Sequence, residues 1–351
     1  MYHYWKQSVD DFLCDELIAW VNDTLNLSYL AARMKELKRI ESFNLRMLSF
    51  LRLGNYFDDR EVRSLSLALI QWEKRFEWEK LKERADELVN RGEPDKAVPL
   101  YHRALQYDEN IKVLNNLGVA HLKLGAASDA YTFLNRALML DNMATPKLIL
   151  HYAEAAAYCQ YFEEAEQALA VVADYPADVA FIRGILSVER RLWADAVKYY
   201  EQAITLSEGE VPLYIFKLAN VYVHMRQFGK AFATLERVKQ RDVHYHVKQA
   251  EINAAAGNIP AAIRCMQQAT LHKNNDASLW TKLAMYRRMD YDFNMADAAI
   301  NKALAIAPDN ERARLESARI KKALSRTREY QGILNQVLKG FRQRYREMYN
   351  I

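Results

Sequence analysis

Few residues in this chain are placed to do covalent chemistry. His244 and His246 form its closest histidine pair, but two residues apart on a helix they point in different directions. A zinc site on a helix uses an i, i+4 pair instead. Glu163 and Glu164 sit where a helix begins, and acids there answer the positive end of the helix. Glu208 and Glu210 flank Gly209 in a loop, and neither pair reads as a general acid/base dyad. Cys14, Cys159 and Cys265 are far apart with no CxxC, so they read as reduced, half-buried thiols and not as ligands or a disulfide framework. There is no glycine-rich phosphate loop, no HExxH and no GxSxG. The expectation is a protein that is not an enzyme, with no catalytic residue, no cofactor and no metal.

The charge distribution carries more information than the net charge of +4. Residues 311–351 hold eleven Lys and Arg against four acids, whereas the rest of the chain is slightly acidic. The basic excess is thus local, and the overall balance argues against nucleic acid as the main partner. The N-terminus reaches Asp10 and Asp11 without a basic and then an apolar stretch, so it does not read as a signal peptide. No run approaches the ~18 apolar residues of a membrane span. A cytoplasmic chain with no transmembrane segment is expected. Only ten Gly and seven Pro occur in 351 residues, with 51% hydrophobic residues, which suits a helix-rich fold.

The elements that position any site announce themselves by repetition. From Leu114, the next landmarks are Leu117, Gly118, Ala130, Leu134 and Ala137; from Trp280 they are Leu283, Ala284, Ala296, Ile300 and Ala303, at identical spacings. A small residue on the first helix of a pair and a small residue on the second permit a close crossing, and large residues fill the gaps between pairs. Second-helix alanine pairs recur at Ala97/Ala104, Ala130/Ala137, Ala196/Ala203, Ala262/Ala269 and Ala296/Ala303. Two more units begin at Ala165 and Ala231 but place Val172 and Val238 at the second position. Pro146 and Pro212 mark starts of first helices, Asn258-Ile259-Pro260 the start of a second, and Pro308 the end of the seventh unit. Pro94 is assigned to the first turn between paired helices. Gly92, Gly125 and Gly257 fall where a first helix must end in a left-handed residue.

Flanking segments are helical but do not follow the repeat. Ser8 to Asp11 resembles a capping box, followed by a stripe of Val9, Phe12, Leu13, Leu17 and Trp20. A second helix is expected from Ser28 through Leu51 to Gly54. A third is expected from Asp58 or Asp59 through Val62, Leu65, Leu69, Trp72 and Phe76, continuing into the first repeat helix. After Glu311 an eighth helix and then a separate terminal helix are expected. Tyr330, Ile333, Leu334, Val337, Leu338, Phe341, Tyr345 and Met348 lie on one face of that last helix, expected to be buried on the seventh unit. Lys339, Arg342, Arg344 and Arg346 form its basic face. The domain reading is 1–76 as an N-terminal helical bundle, 77–310 as seven repeats, and 311–351 as basic capping helices.

The repeated residues resemble the tetratricopeptide signature, a helix–turn–helix of 34 residues. The resemblance implies an all-α superhelical solenoid with an N-terminal helical bundle and a C-terminal capping helix, used as an adaptor for a protein or peptide partner, with chaperone or complex assembly as one context. In such a solenoid the first helices line a concave groove. Counting the small residue as the eighth position, positions 2, 5, 9 and 12 face it. They hold Leu122, Leu150, Phe181, Ile185, Val188, Leu213, Phe216, Val223 and Val247, with Lys112, Asn115, Glu154, Asn220 and Glu251 around them. Phe181 and Phe216 are the expected anchors, open to water until a partner covers them. One subclass of the family grips the C-terminal tails of chaperones with a carboxylate clamp. Lys82 and Asn116 match that clamp by position, whereas Asp86, Leu150 and Glu154 replace its other members. The layout also resembles peptide-responsive bacterial regulators that pair a helical bundle with such repeats, which would make 1–76 an output module. The basic terminal helix offers a third role, in RNA or membrane association.

Overall fold

The computed structural model describes residue 6 and residues 12–53, 57–141 and 143–349. The expected capping box at Ser8 to Asp11 lies outside them. Among the described residues there are helices and no strands, and the chain divides into two compact units, Met1–Val172 and Ala173–Ile351.

The first unit begins with α1 (Asp15–Asp23), α2 (Ser28–Lys38), α3 (Phe43–Leu53) and α4 (Asp59–Glu73). Phe12, Ile18, Met34, Met47, Leu65, Leu69 and Trp72 bury one another in the middle of these helices. Three sequence expectations are corrected here. The stretch from Ser28 to Leu53 is two helices, broken at Arg39–Ser42, where Ile40 turns into the core and its carbonyl accepts from the Arg46 guanidinium. α4 does not run on into the first repeat. It stops at Glu73, and a new helix starts behind Phe76, whose N–H is taken up by the Glu79 carboxylate. Trp20, expected in the apolar stripe, is exposed, and Ile18 and Val21 point inward instead. Asp58 caps α4 in a complete capping box with Glu61.

The repeat helices of the first unit are α5 (Glu77–Asn90), α6 (Pro94–Tyr107), α7 (Ile111–Leu124), α8 (Ala127–Leu140), α9 (Pro146–Tyr158) and α10 (Phe162–Ala170). Lys6 ties the N-terminal segment to them, with its ammonium 2.6 Å from Glu83 and 3.0 Å from Glu87 of α5. The second unit contains α11 (Pro176–Glu189), α12 (Trp193–Leu206), α13 (Pro212–His224), α14 (Phe228–Leu235), α15 (Val243–Ala255), α16 (Ile259–His272), α17 (Ala277–Met289), α18 (Phe293–Ile306) and α19 (Glu311–Tyr349).

Each odd-numbered helix from α5 to α17 forms a hairpin with the next. All of the alanines that mark the second helices, from Ala97 to Ala303, are fully buried. At Gly118 a Cβ would stand 2.4 Å from Leu134 Cγ, and at Gly184 one would stand 2.4 Å from the Tyr200 ring. Hydrogen atoms fit where a methyl group cannot. The two units with valine in place of the second alanine have shortened second helices: α10 ends at Ala170 and α14 at Leu235. Val172 and Val238 therefore lie past the helix end, where no close crossing demands a small residue. Pro94 opens α6 instead of sitting in the preceding turn, and Pro99 falls in the second turn of α6.

The seven turns inside the hairpins share one construction. A left-handed residue follows the first helix in each: Gly92, Gly125, Gln160, Arg191, Arg226, Gly257 and Tyr291. One residue later a backbone N–H reaches back across the turn, as from Ala126 to the His121 carbonyl (2.9 Å) and from Leu192 to the Ser187 carbonyl (2.7 Å). This 6→1 bond satisfies a carbonyl that the helix end would leave orphaned. Four of the seven turns hold this conformation without glycine.

The proximal part of α19 covers α17 and α18 through Ala313, Ser317 and Ile320, all buried. Glu316 is buried beside them, its carboxylate held by Arg288 (2.5 Å) and Arg319 (3.3 Å). Two expectations are corrected: α19 is one unbroken helix of 39 residues, and its distal apolar face is not buried. Tyr330 is 72% and Phe341 67% exposed, and Ile333, Leu334, Val337 and Leu338 are exposed with them. The packed register ends near Leu324 because α18, back along which α19 runs, spans only Phe293–Ile306 and offers nothing further to cover.

Two outcomes follow from the crossings and turns. Gly118→Ala should cost ~1–3 kcal/mol by overpacking against Leu134, despite alanine's better helix propensity. In a Leu134→Ala background the same change should be nearly neutral, and urea unfolding of the four proteins checks the coupling. Arg191→Gly should raise stability by ~1 kcal/mol, because glycine adopts the left-handed region without the Cβ clash. Unchanged unfolding midpoints would show that the turn carries no such strain.

Candidate partner-binding face

The polar groups of the first unit converge on one carboxylate. Asp86, at the ninth position of α5, receives three donors: the Asn116 amide (2.7 Å) and the Tyr101 hydroxyl (2.6 Å) on Oδ1, and the Lys82 ammonium (2.6 Å) on Oδ2. Burial and the neighbouring carboxylate push the Tyr101 phenol far above its ordinary value, so it stays a donor. The chain of bonds continues along the face. Asn115 Nδ2 donates to Asn116 Oδ1 (3.0 Å), and His151 Nδ1 lies 2.8 Å from Asn115 Oδ1. Because an amide oxygen only accepts, that last bond places the imidazole proton on Nδ1.

Two adjoining hollows follow the same line, and both touch Asn115 and Asn116. One, of about 460 Å³, is walled by Lys82, Ile111, Lys112 and Leu148; the other, of about 340 Å³, by Val89, Asn90, Val119, Lys123 and His151. Lys112 and Lys123 are exposed and have no ion-pair partner among the described residues. α7 thus turns positions 2, 5, 6, 9 and 13 to this face, with positions 5, 9, 12 and 13 of α5 and positions 3 and 6 of α9 beside them, while the small residues meet the second helices. This is the tetratricopeptide arrangement.

No protein-family model matches the chain, and no curated protein matches it. Among solved structures, a tetratricopeptide repeat protein from Parabacteroides merdae is similar over 70% of this chain and 99% of its own, at 15% identity and a TM-score of 0.46. The APC/C hetero-tetramer Cut9–Hcn1 is similar over 90% of this chain and 57% of that chain, at 17% identity and a TM-score of 0.43. The C-terminal part of a TPR repeat-containing protein from Cytophaga hutchinsonii covers 67% of this chain and 98% of its own, at 17% identity and a TM-score of 0.36. The resemblance to the tetratricopeptide fold rests on the crossings and turns described above.

Of the residues expected to line the groove, Leu213 is exposed, and the others divide into two groups. Phe181 (5% exposed), Ile185 (1%) and Leu150 (5%) are buried, which corrects their reading as open lining. Phe181 packs between the Tyr214 ring (centroids 4.6 Å apart) and the Tyr200 ring (5.7 Å), so it is a core side chain of the second unit. Leu122, Val188, Phe216, Asn220, Val223 and Val247 are half-buried, and Val247 packs on the apolar cluster of α15 to α18. Asn220 accepts from Lys248 (3.0 Å), which also pairs with Glu251 (2.6 Å), and Lys282 closes on the same carboxylate (2.7 Å). Burial opposes charge on Glu251, but the two lysines hold its carboxyl below the usual range.

Lys82 and Asn116, the two clamp-like positions, do come together, but through Asp86 between them. That carboxylate engages the lysine that a clamp would present to a ligand. On α19, Lys339 and Arg344 are exposed, and the side chains of Arg342 and Arg346 lie outside the described ones. Sequence reasoning missed Tyr101, His151, Lys248 and Lys282. The last three occupy the sixth position of a first helix, as Asn116 does. At ~100° per residue the sixth position stands ~40° from the second, just beyond the thirteenth, so the helical wheel could have included it. Among the described residues no three His, Cys, Asp or Glu side chains gather as metal ligands.

Asp86→Ala should lower stability by ~1–3 kcal/mol, since it strands a buried hydroxyl and an amide. Tyr101→Phe in that background should then add little. Thermal melts of the two single variants and the double variant measure this coupling, and additive losses would refute it.

Proposed function

We propose that the chain is an adaptor that holds a segment of a partner protein along α5, α7 and α9. The observation carrying this reading is the pair of adjoining hollows that share Asn115 and Asn116. Side-chain amides arrayed along a groove match the alternating donors and acceptors of a polypeptide main chain. Apolar patches at Ile111, Val119 and Leu148 give side chains a place to bury, and Lys112 and Lys123 stand at the two ends to favour acidic neighbours. The hydrogen-bond chain from His151 to Lys82 fixes the amides before a partner arrives, which reduces the ordering cost of binding. In this reading 77–310 is the binding array, 1–76 covers its start and 311–351 its end, as solenoid termini require. Phe216, Asn220, Val223 and Val247 form a further half-buried stretch for a partner to use in the second unit.

The test is quantitative affinity capture with the full chain and with an Asn115→Ala, Lys112→Glu, Lys123→Glu variant of matched melting temperature. Partners of the groove should fall by about ten-fold or more on the variant, as hot-spot loss implies. A capture profile that is the same for both proteins would refute the reading.

A further inference from the structure

The distal half of α19 carries a run of apolar side chains that the fold leaves uncovered among the described residues. Tyr330, Ile333, Leu334, Val337, Leu338 and Phe341 are exposed, on 12 residues that span ~18 Å of helix. At ~100° per residue they occupy an uninterrupted sector of ~140°. Arg326 and Arg344 are exposed at the edge of that sector, one beyond each end, and Lys339 stands on the opposite side. Over residues 326–346 the sequence holds six cations and a single acid, Glu329.

We propose that this segment lies on an anionic lipid surface, a role independent of the partner groove. The chemistry selects among occupants. A second copy of the helix would bring six cations against six, with one acid on each side to offset them. RNA would answer the charge but leave the apolar sector in water. A single acidic partner helix covers an a/d seam of two residues in seven, narrower than the sector seen here. A bilayer interface accepts the whole sector among its acyl chains, and arginines at the edge reach up to lipid phosphates. No helix among the described residues is long and apolar enough to cross a membrane, so the segment lies along the surface.

The test is co-sedimentation of the full chain with vesicles of phosphatidylcholine alone and of phosphatidylcholine mixed with phosphatidylserine. The chain should bind the mixed vesicles, and added salt should weaken binding. Arg326→Gln, Lys339→Gln and Arg344→Gln together should reduce binding about ten-fold. Ile333→Gln, Val337→Gln and Phe341→Gln together should bring it to background. These side chains are exposed, so both variants should melt like the parent; if the apolar triple does not, Phe341→Gln alone serves and should still lower binding several-fold. Absence of binding to the mixed vesicles would overturn the proposal, as would equal binding by the apolar variant. A dimer in sedimentation velocity that the apolar variant dissociates would overturn it too, by making a second copy the occupant.

Discussion

Everything in the repeat follows from how closely two helices of a hairpin cross. At Gly118 and Gly184 the facing side chain occupies the space that a Cβ would need, and the second-helix alanines are sealed from water. Such contact fixes the rotation of each helix about its own axis. Once the eighth residue of a first helix is committed to the crossing, the opposite side is committed to the outside. The polar row of α5, α7 and α9 is in register because the crossings are in register. Binding groups need no separate device to align them.

In each unit a second feature is charge held in place on the first helices. Asp86 takes an ammonium, an amide and a phenol at once, and Glu251 takes two ammonium groups. A carboxylate with its lone pairs filled neither repels an incoming segment as a bare charge would nor lets its neighbours wander. In the first unit this leaves exposed cations with no ion-pair partner among the described residues, Lys112, Lys123 and Lys147 among them.

Much of the fold was legible because the repeat constrains residue size at fixed spacing. Each second-helix alanine lies in a crossing, and even the two valines were informative, since they mark helices that stop short. The N-terminal helices were less legible. The break at Arg39–Ser42 carries no glycine or proline and exists because Ile40 is drawn into the core. Phe181 was misplaced for a related reason. Position on a helical wheel says which way a side chain leaves its helix, not whether Tyr200 and Tyr214 close over it. The terminal helix misled in the opposite direction, because an apolar stripe was equated with burial although α18 is too short to provide it. The hydrogen-bond row was half legible: the fifth and ninth positions were anticipated, and of the sixth only Asn116 was.

The continuity of α19 has a mechanical consequence. With no proline, glycine or loop between Glu311 and Gln331, the helix leaves its clamp as a stiff beam; Gly332 and Gly340 lie farther along. Ile320 and the Glu316–Arg288 ion pair sit near the fulcrum. Any load on the distal half acts with a long lever arm, and torque on the clamp grows with distance along the beam. A force too small to unfold a hairpin directly would therefore be felt first at Arg288, and through it at the end of α17.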